Sequence, residues 1–419
     1  MSFIYDLFFL IYALLYIPYL WIKRKWHDRF WERLGFFSDE TKGSFSSLRD
    51  PIWLHAVSVG ETGAVVPLAE VLQREYPDRD LVVTTVTTTG QSLAISKMPS
   101  GTMILYAPLD ASWVVNKYIR LIKPCLYIAA ETEIWPNLYL ALHKHGVPVI
   151  QVNGRISDKA FSRYYRFKSL LRPVLDCVTS FGVQTETDLQ RLTQIGAQKD
   201  KIEITGNVKF DCAACVSDIR PEAFGFDAKD KIIVAGSTHP GEEVLILNNY
   251  GELRKKENTV RLIIAPRHVE RAEDIAALVR SYGWKPVLYS KERGEIDANE
   301  VLIIDKIGHL LQSYSIASLV FIGKTFRVGG GQNMIEPAAC GKATIVGPMT
   351  GNFRDVMRLL LQEKGILQLE DESLLLPKMQ ELLNDEKMRF KMGEAARNCV
   401  LKYCGATEKT VNMIKRILN

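Results

Sequence analysis

In PIWLHAVSVGETGAVVPLAEVL, residues 51–72, a short apolar run ends at Gly60 and a helix-forming stretch opens just beyond it. A buried strand that feeds directly into a helix is the repeating unit of parallel α/β sheets. Glu61 stands at the junction, flanked by Gly60 and Gly63, where a phosphate-cradling loop would carry another glycine. A helix N-terminus favours an anion, so the sequence predicts an ionised Glu61, the form in which a carboxylate accepts a proton. The same charge can serve only to stabilise the turn. Glycines on both sides leave room for a substrate and favour the catalytic role.

Outward from this junction the pattern repeats. The runs LVVTTVT, TMILYAP, CLYIAA and VPVIQVNG come next, separated by helical stretches such as PNLYLALHKHG. Around residues 207–230 the alternation loosens, and KDKIIVAGS starts a second series through VRLIIAPR, KPVLYSK, EVLIID, SLVFIGK and KATIVGP. A chain of 419 residues is also too long for one ordinary core. The expected fold is α/β, with two Rossmann-like domains facing a cleft, over residues 26–220 and 221–419, after a membrane anchor in residues 1–25.

The anchor rests on residues 3–22, FIYDLFFLIYALLYIPYLWI, about the length a bilayer requires. The basic, tryptophan-bearing flank KRKWHDRFWERLG keeps the rest of the chain on the cytoplasmic side. The run lacks a basic start and a small-residue cleavage site, so it reads as an uncleaved anchor rather than a signal peptide. Asp6 and Pro18 leave open whether it spans the bilayer or lies in its interface. The formal net charge of +5 favours an anionic partner or a membrane surface only slightly, and no nucleic acid is expected as a partner. Seven scattered cysteines, an odd number, point to reduced thiols in the cytosol. Cys212 and Cys215 form a lone CxxC, which reads as coincidence rather than a metal or redox site.

Open α/β sheets bind ligands at the carboxyl ends of their strands. Polar clusters fall there: SVGETG, AAETEIWPN, NGRISD, TGNVKFD, AGSTHPGEE, APRHVER and VGGGQNMIEPA. Neither GxGxxG nor GxxxxGK[ST] occurs, which disfavours a dinucleotide dehydrogenase and a P-loop NTPase. GGGQN, residues 329–333, offers unobstructed backbone N–H groups to a phosphate, with a helix N-terminus behind it; an ordinary tight turn fits equally well. Asn333 and Glu336 lie one turn apart and can face one ligand, the carboxylate suiting ribose hydroxyls. Ser237, His239 and Arg267 come after other strands and can complete the pocket. Glu131 and Glu133 are expected to point in different directions, so at most one reaches the site. Lys209 and Arg155 can bind a carboxylate or phosphate, or pair at the surface with Asp211 and Asp158. Glu242 and Glu243 read as helix-start charges.

Taken in order, these motifs resemble the 3-deoxy-D-manno-octulosonic acid (Kdo) transferases of lipid A assembly, over nearly the whole chain. RFWERLG, WLHAVSVGETGA, ETEIWPNL, VNGRIS, TGNVKFD, GSTHPGEE, APRHVER and GGGQNMIEPAACGKATIVGP carry the likeness. The resemblance implies an inverting glycosyltransferase of the glycosyltransferase-B fold, moving Kdo from CMP-Kdo to a lipid A precursor (lipid IVA) at the cytoplasmic face of the bacterial inner membrane. It implies Glu61 as proton acceptor and Glu131 and Lys209 as stabilisers of the transition state. It places CMP contacts at Pro266, Arg267, Ile307, Gly308, His309, Asn333, Met334, Ile335 and Glu336; Gly330 and Gly331 of the glycine run are expected to join them, and Arg155 to lie on the acceptor side. Transfer without a metal or other cofactor is expected. Four positions depart from the family pattern: Gln332 stands for a histidine, Val269 for a proline, His309 for an acid, and GKTFRVGGG for a glycine-serine version. The competing readings are another nucleotide-sugar transferase or epimerase on this scaffold, and a membrane-anchored glycolipid-binding protein without chemistry.

Overall fold

The computed structural model describes residues 5, 6, 10, 29–213, 219–291 and 294–418. The chain forms two compact units, one of Met1–Cys212 with Gly405–Asn419 and one of Ala213–Cys404. The apolar run 3–22 lies outside the described residues except for Tyr5, Asp6 and Leu10. Among the described residues no helix is long and apolar enough to cross a membrane.

The first unit is built on β1 (Ile52–His55), β2 (Leu81–Thr85), β3 (Met103–Tyr106), β4 (Leu126–Ala130), β5 (Val149–Gly154), β6 (Ser180–Val183) and β7 (Ile202–Ile204). Its order is β3-β2-β1-β4-β5-β6-β7, all parallel. Both faces of the central strands are buried, which explains their unbroken apolar sequences. Trp53 and Tyr127 are register partners on one face, their rings edge to face at 5.0 Å. Ile52, Leu54, Leu126 and Ile128 point to the other, against Val65 and Leu68 of the helix Val59–Glu75.

The second unit holds β8 (Lys231–Thr238), β9 (Val260–Pro266), β10 (Lys285–Leu288), β11 (Glu300–Ile303), β12 (Leu319–Ile322), β13 (Thr344–Val346) and β14 (Leu367–Gln368). They run parallel in the order β10-β11-β9-β8-β12-β13-β14. Gly236 in β8 has a steric reason, since a Cβ there would lie 2.0 Å from the Tyr314 hydroxyl.

The expected division at residue 220 is corrected at the C-terminus. The last helix, Ala406–Leu418, belongs to the first unit. Its Val411, Met413 and Ile414 bury against the same face as Ile52 and Leu54. Asp211 fastens its start, accepting the N–H groups of Gly405 (2.7 Å) and Thr407 (2.5 Å). An amphipathic helix of this kind carries no sign of which sheet it will cover, so linear order misassigned it.

Asp211→Ala removes that cap. We expect a loss of about 1–2 kcal/mol in urea denaturation and faster proteolysis after residue 404. Unchanged digestion of the last helix would show that the carboxylate does not fasten it.

Candidate active site

In the first unit the strand order reverses between β1 and β4, and the loops leaving those two strands flank the crevice that open α/β sheets use for ligands. Glu61 comes after β1 and Glu131 after β4. Glu61 occupies the third position of its helix behind the N-cap Ser58, the spacing of a capping box. Its carboxylate reaches back to accept the Val57 N–H at 2.6 Å and the Ser58 hydroxyl at 3.0 Å. The side chain is buried, 8% exposed. Burial pushes its pKa up to about 7; the Glu131 charge adds to the rise, while the Val57 and Ser58 hydrogen bonds and Lys209 oppose it. The expectation that the helix start holds Glu61 firmly ionised is therefore corrected: desolvation outweighs the N–H donors. A Cβ at Gly60 would meet only Ser58 Oγ at 3.9 Å, and one at Gly63 only ordinary contact with Leu93. Space beside the carboxylate, rather than backbone strain, is what these glycines provide.

Glu131 has left-handed backbone geometry, φ +55°, and donates its N–H to Val152 O at 2.8 Å. Lys209 Nζ lies 3.9 Å from Glu131 Oε1, the two side chains 32% and 30% exposed. So open a pair contributes at most about 1 kcal/mol, and its value here is the field it sets. Lys209 is delivered by the short helix Val208–Ala213, whose Val208 N–H donates to Asn153 Oδ1 at 3.3 Å. Thus β5 and the β7 loop together place the lysine beside β4.

Glu133 shares this field, whereas the sequence allowed at most one of Glu131 and Glu133 to reach the site. Burial first, then the charge of Glu61, raises its pKa to about 7. Glu131 follows β4 in left-handed geometry, so neither strand nor helix periodicity sorts the directions of these two acids. Thr132, between the two acids, donates its hydroxyl to Arg155 O and accepts the Arg155 N–H at 2.9 Å, joining the β4 and β5 loops. Asp158 pairs with Arg191, and Asp211 caps the last helix.

In the second unit the loops after β8 and β12 meet at the corresponding reversal. Ser237 is buried with φ +53°, at the point where the β8–β9 register shifts. His239 Nε2 lies 3.0 Å from Gln332 Nε2; an amide nitrogen can only donate, so the imidazole accepts there. Burial lowers the pKa of His239, against the charge of Glu242. Gln332, the departure at a histidine position, thus holds a neutral imidazole.

Glu242 and Glu243 do far more than start a helix. Both are buried. Glu242 accepts the N–H groups of His239, Lys324, Thr325 and Phe326 at 2.7–3.2 Å, tying two loops to one carboxylate. Glu243 accepts from the Thr238 hydroxyl and pairs with Arg271, each at 2.8 Å.

The glycine run proves to be largely a turn. Gly330 and Gly331 have φ of +117° and +77°, and their N–H groups donate to Met349 O and Lys324 O, so neither is left to cradle a phosphate. The helix Ile335–Ala339 has only five residues, and Asn333 Oδ1 already accepts the Ile335 N–H, which removes most of the expected anion site at its N-terminus. Asn333 Nδ2 donates to Glu336 Oε1 at 2.9 Å. Burial raises the Glu336 pKa, opposed by Asn333 and by the charge of Arg267. Arg267 is exposed after β9 and donates its N–H to Thr238 O, while Pro266, Met334 and Ile335 are buried. Ile307 is 87% exposed, Gly308 has φ +96°, and His309 Nδ1 lies 3.0 Å from Gln312 Oε1 with its ring 4.5 Å from Tyr289. Cys215 and the Cys212 side chain lie outside the described residues.

A family model described as 3-deoxy-D-manno-octulosonic-acid transferase (kdotransferase) matches residues 28–212. The 3-deoxy-D-manno-octulosonic acid transferase of Chlamydophila psittaci is 31% identical over 367 residues, 86% of this chain and 84% of that protein. That of Haemophilus influenzae is 29% identical over 400 residues, 94% of this chain and 92% of its own. The fold is similar to that of a UDP-GlcNAc 2-epimerase from Neisseria meningitidis, with TM-score 0.61 and 13% identity over 87% of this chain and all of that one.

A buried acid whose folded pKa lies above its unfolded value destabilises the fold as pH rises between the two values, and fully above both. For Glu61 that window runs from the ordinary 4.5 to about 7. Glu61→Gln is expected to stabilise the protein at pH 8 by up to about 3 kcal/mol and scarcely at all at pH 4.5. Thermal denaturation at both pH values checks this; an equal change at both would show that ionisation is not the cause.

Proposed function

Because the chain belongs to the 3-deoxy-D-manno-octulosonic acid (Kdo) transferase family, we propose that it transfers Kdo from CMP-Kdo to a hydroxyl of a lipid A precursor with inversion. The observation that carries this reading is a buried carboxyl poised near neutrality, Glu61, beside the Glu131–Lys209 pair at a strand-order reversal. A base whose pKa lies near the working pH combines a useful ionised fraction with real proton affinity.

In this mechanism the acceptor oxygen bonds to the anomeric carbon of Kdo. The bond from that carbon to the CMP phosphate breaks, its electron pair leaving with the phosphate, and the acceptor proton passes to Glu61. Charge developing in the transition state is stabilised by Glu131 and Lys209, which lie 3.9 Å apart. Donor binding falls to the second unit, where Ser237, His239 and Arg267 converge at loop ends and Glu336 suits the ribose hydroxyls. With the Gly330 and Gly331 N–H groups already bonded, the phosphate relies on Arg267 rather than on the glycine turn. Arg155 lies on the acceptor side. The reaction needs no resident metal, and the apolar run 3–22 holds the chain at the cytoplasmic face of the inner membrane.

Incubation of the protein with CMP-Kdo and a lipid A precursor, with products read by mass spectrometry, tests this reading. Turnover of a UDP-sugar in place of CMP-Kdo would favour the other transferases and epimerases of this fold. Glu61→Gln is expected to lower kcat by about 100-fold or more and to leave CMP affinity nearly intact; retained turnover would remove the base. The acidic limb of kcat/KM is expected near 7. Glu131→Gln should move it to lower pH, and Lys209→Met to higher pH. Excess chelator should leave turnover unchanged.

A further inference from the structure

The helix Val208–Ala213, which carries Lys209, has six residues, a length at which a helix does not hold itself. Its place is set from outside, by Asn153 Oδ1 on the Val208 N–H and by the far end of the chain. Asp211, two residues after the lysine, accepts the Gly405 and Thr407 N–H groups at 2.7 and 2.5 Å. Val208, the residue before the lysine, is buried in a small cluster with Ala64 and Ala406. Ala64 stands three residues after Glu61 in the helix Val59–Glu75. The first turn of the last helix thus touches, at one point, the segment bearing the lysine and the helix bearing the carboxyl.

The last helix keeps to both partners along its length. It runs beside Val59–Glu75 in the same direction, with Ala406 against Ala64 at its start and Lys415 Nζ 2.6 Å from Glu75 Oε2 near its end. Between these points Val411, Met413 and Ile414 share one core with Val65, Leu68 and Leu72. Arg416 pairs with Glu203 of β7, the strand whose loop leads to Lys209. An element packed this closely against two segments leaves neither free to shift by itself. Its first turn also begins where the chain comes back from the second unit, and Asp211 lies where the chain departs for it.

We infer that Asp211 and Ala406 are positioning residues of the active site, through which the first turn of the last helix holds Lys209 in register with Glu61. Asp211 fixes the lysine's helix to that turn, and Ala406 sets the spacing between that helix and the one bearing Glu61. Their part in turnover rests on the proposed transfer reaction, whereas the placement of Lys209 can be read without any substrate.

The readout is the Glu61 carboxyl itself, titrated by NMR in the full chain labelled with carbon-13 at glutamate carboxyls and assigned by difference from Glu61→Gln. Glu61 faces the charges of Glu131, Glu133 and Lys209, and among these the lysine alone favours its anion. Asp211→Asn keeps the volume but turns a donor toward a backbone N–H; Ala406→Val presses Ala64 and Val208 apart and keeps every charge. Each variant is expected to raise the Glu61 titration midpoint by about half or more of the shift that Lys209→Met produces, and to add nothing in the Lys209→Met background. The sign is diagnostic, because loss of the Asp211 charge alone would lower a neighbouring carboxyl's pKa. With CMP-Kdo and acceptor, kcat is expected to fall about tenfold or more in each variant, with no further fall when Lys209 is Met. An unmoved or lowered midpoint in both variants would overturn the inference, even with a reduced melting temperature, since that pattern belongs to a purely structural role. Losses that multiply with Lys209→Met would overturn it as well. Absence of transfer by the unaltered protein would sink the proposed reaction, while the titration would still decide the positioning.

Discussion

The reach of Glu61 back to the Val57 N–H and the Ser58 hydroxyl is the contact on which the first unit's site depends. It starts the helix after β1, and it takes the carboxylate out of water in doing so. Once there, two opposing tendencies act on one proton. The donors at the helix start favour the anion, while burial and the neighbouring Glu131 favour the acid. Burial dominates, and the result is a group balanced near neutrality rather than a fixed charge. Glycine could make the turn, but it could not carry that balance.

The two units use carboxylates in opposite ways. In the first, Glu61, Glu131 and Glu133 lie in one another's fields, with Lys209 as a loosely held counter-charge. Burial lifts Glu61 and Glu133 there to about 7. In the second, Glu242 is saturated by four backbone N–H groups and Glu243 by a hydroxyl and a guanidinium. Those charges fix loops, and the polar ends of Ser237, His239 and Gln332 inherit their positions from them. Buried acids can thus be reactive or architectural according to how completely their lone pairs are filled.

Much of this was legible in the sequence. Apolar runs alternating with amphipathic stretches announced the parallel sheets, and clusters after the strands marked Glu61, Glu131 and Lys209, which the fold brings together. What escaped reading depended on partners distant in the chain. The Gly330 and Gly331 N–H groups are taken by Met349 and Lys324, a pairing no local spacing displays. Glu133 was missed because the two acids lie beyond the strand, where the chain turns left-handed at Glu131 and no periodicity sorts side chains by direction. The protonation of Glu61 was misjudged because a helix terminus is visible in a sequence, while the degree of enclosure is not.

The return of Ala406–Leu418 to the first unit has a consequence for how the chain is made. Residues 213–404 form a contiguous unit, complete before that helix is synthesised. The earlier-made unit waits with part of one face of its sheet uncovered, where Val411, Met413 and Ile414 will pack beside the helix Val59–Glu75, until residues 406–418 emerge from the ribosome. The order of synthesis and the order of completion are therefore reversed, and the first unit is sealed only after its younger neighbour has been made.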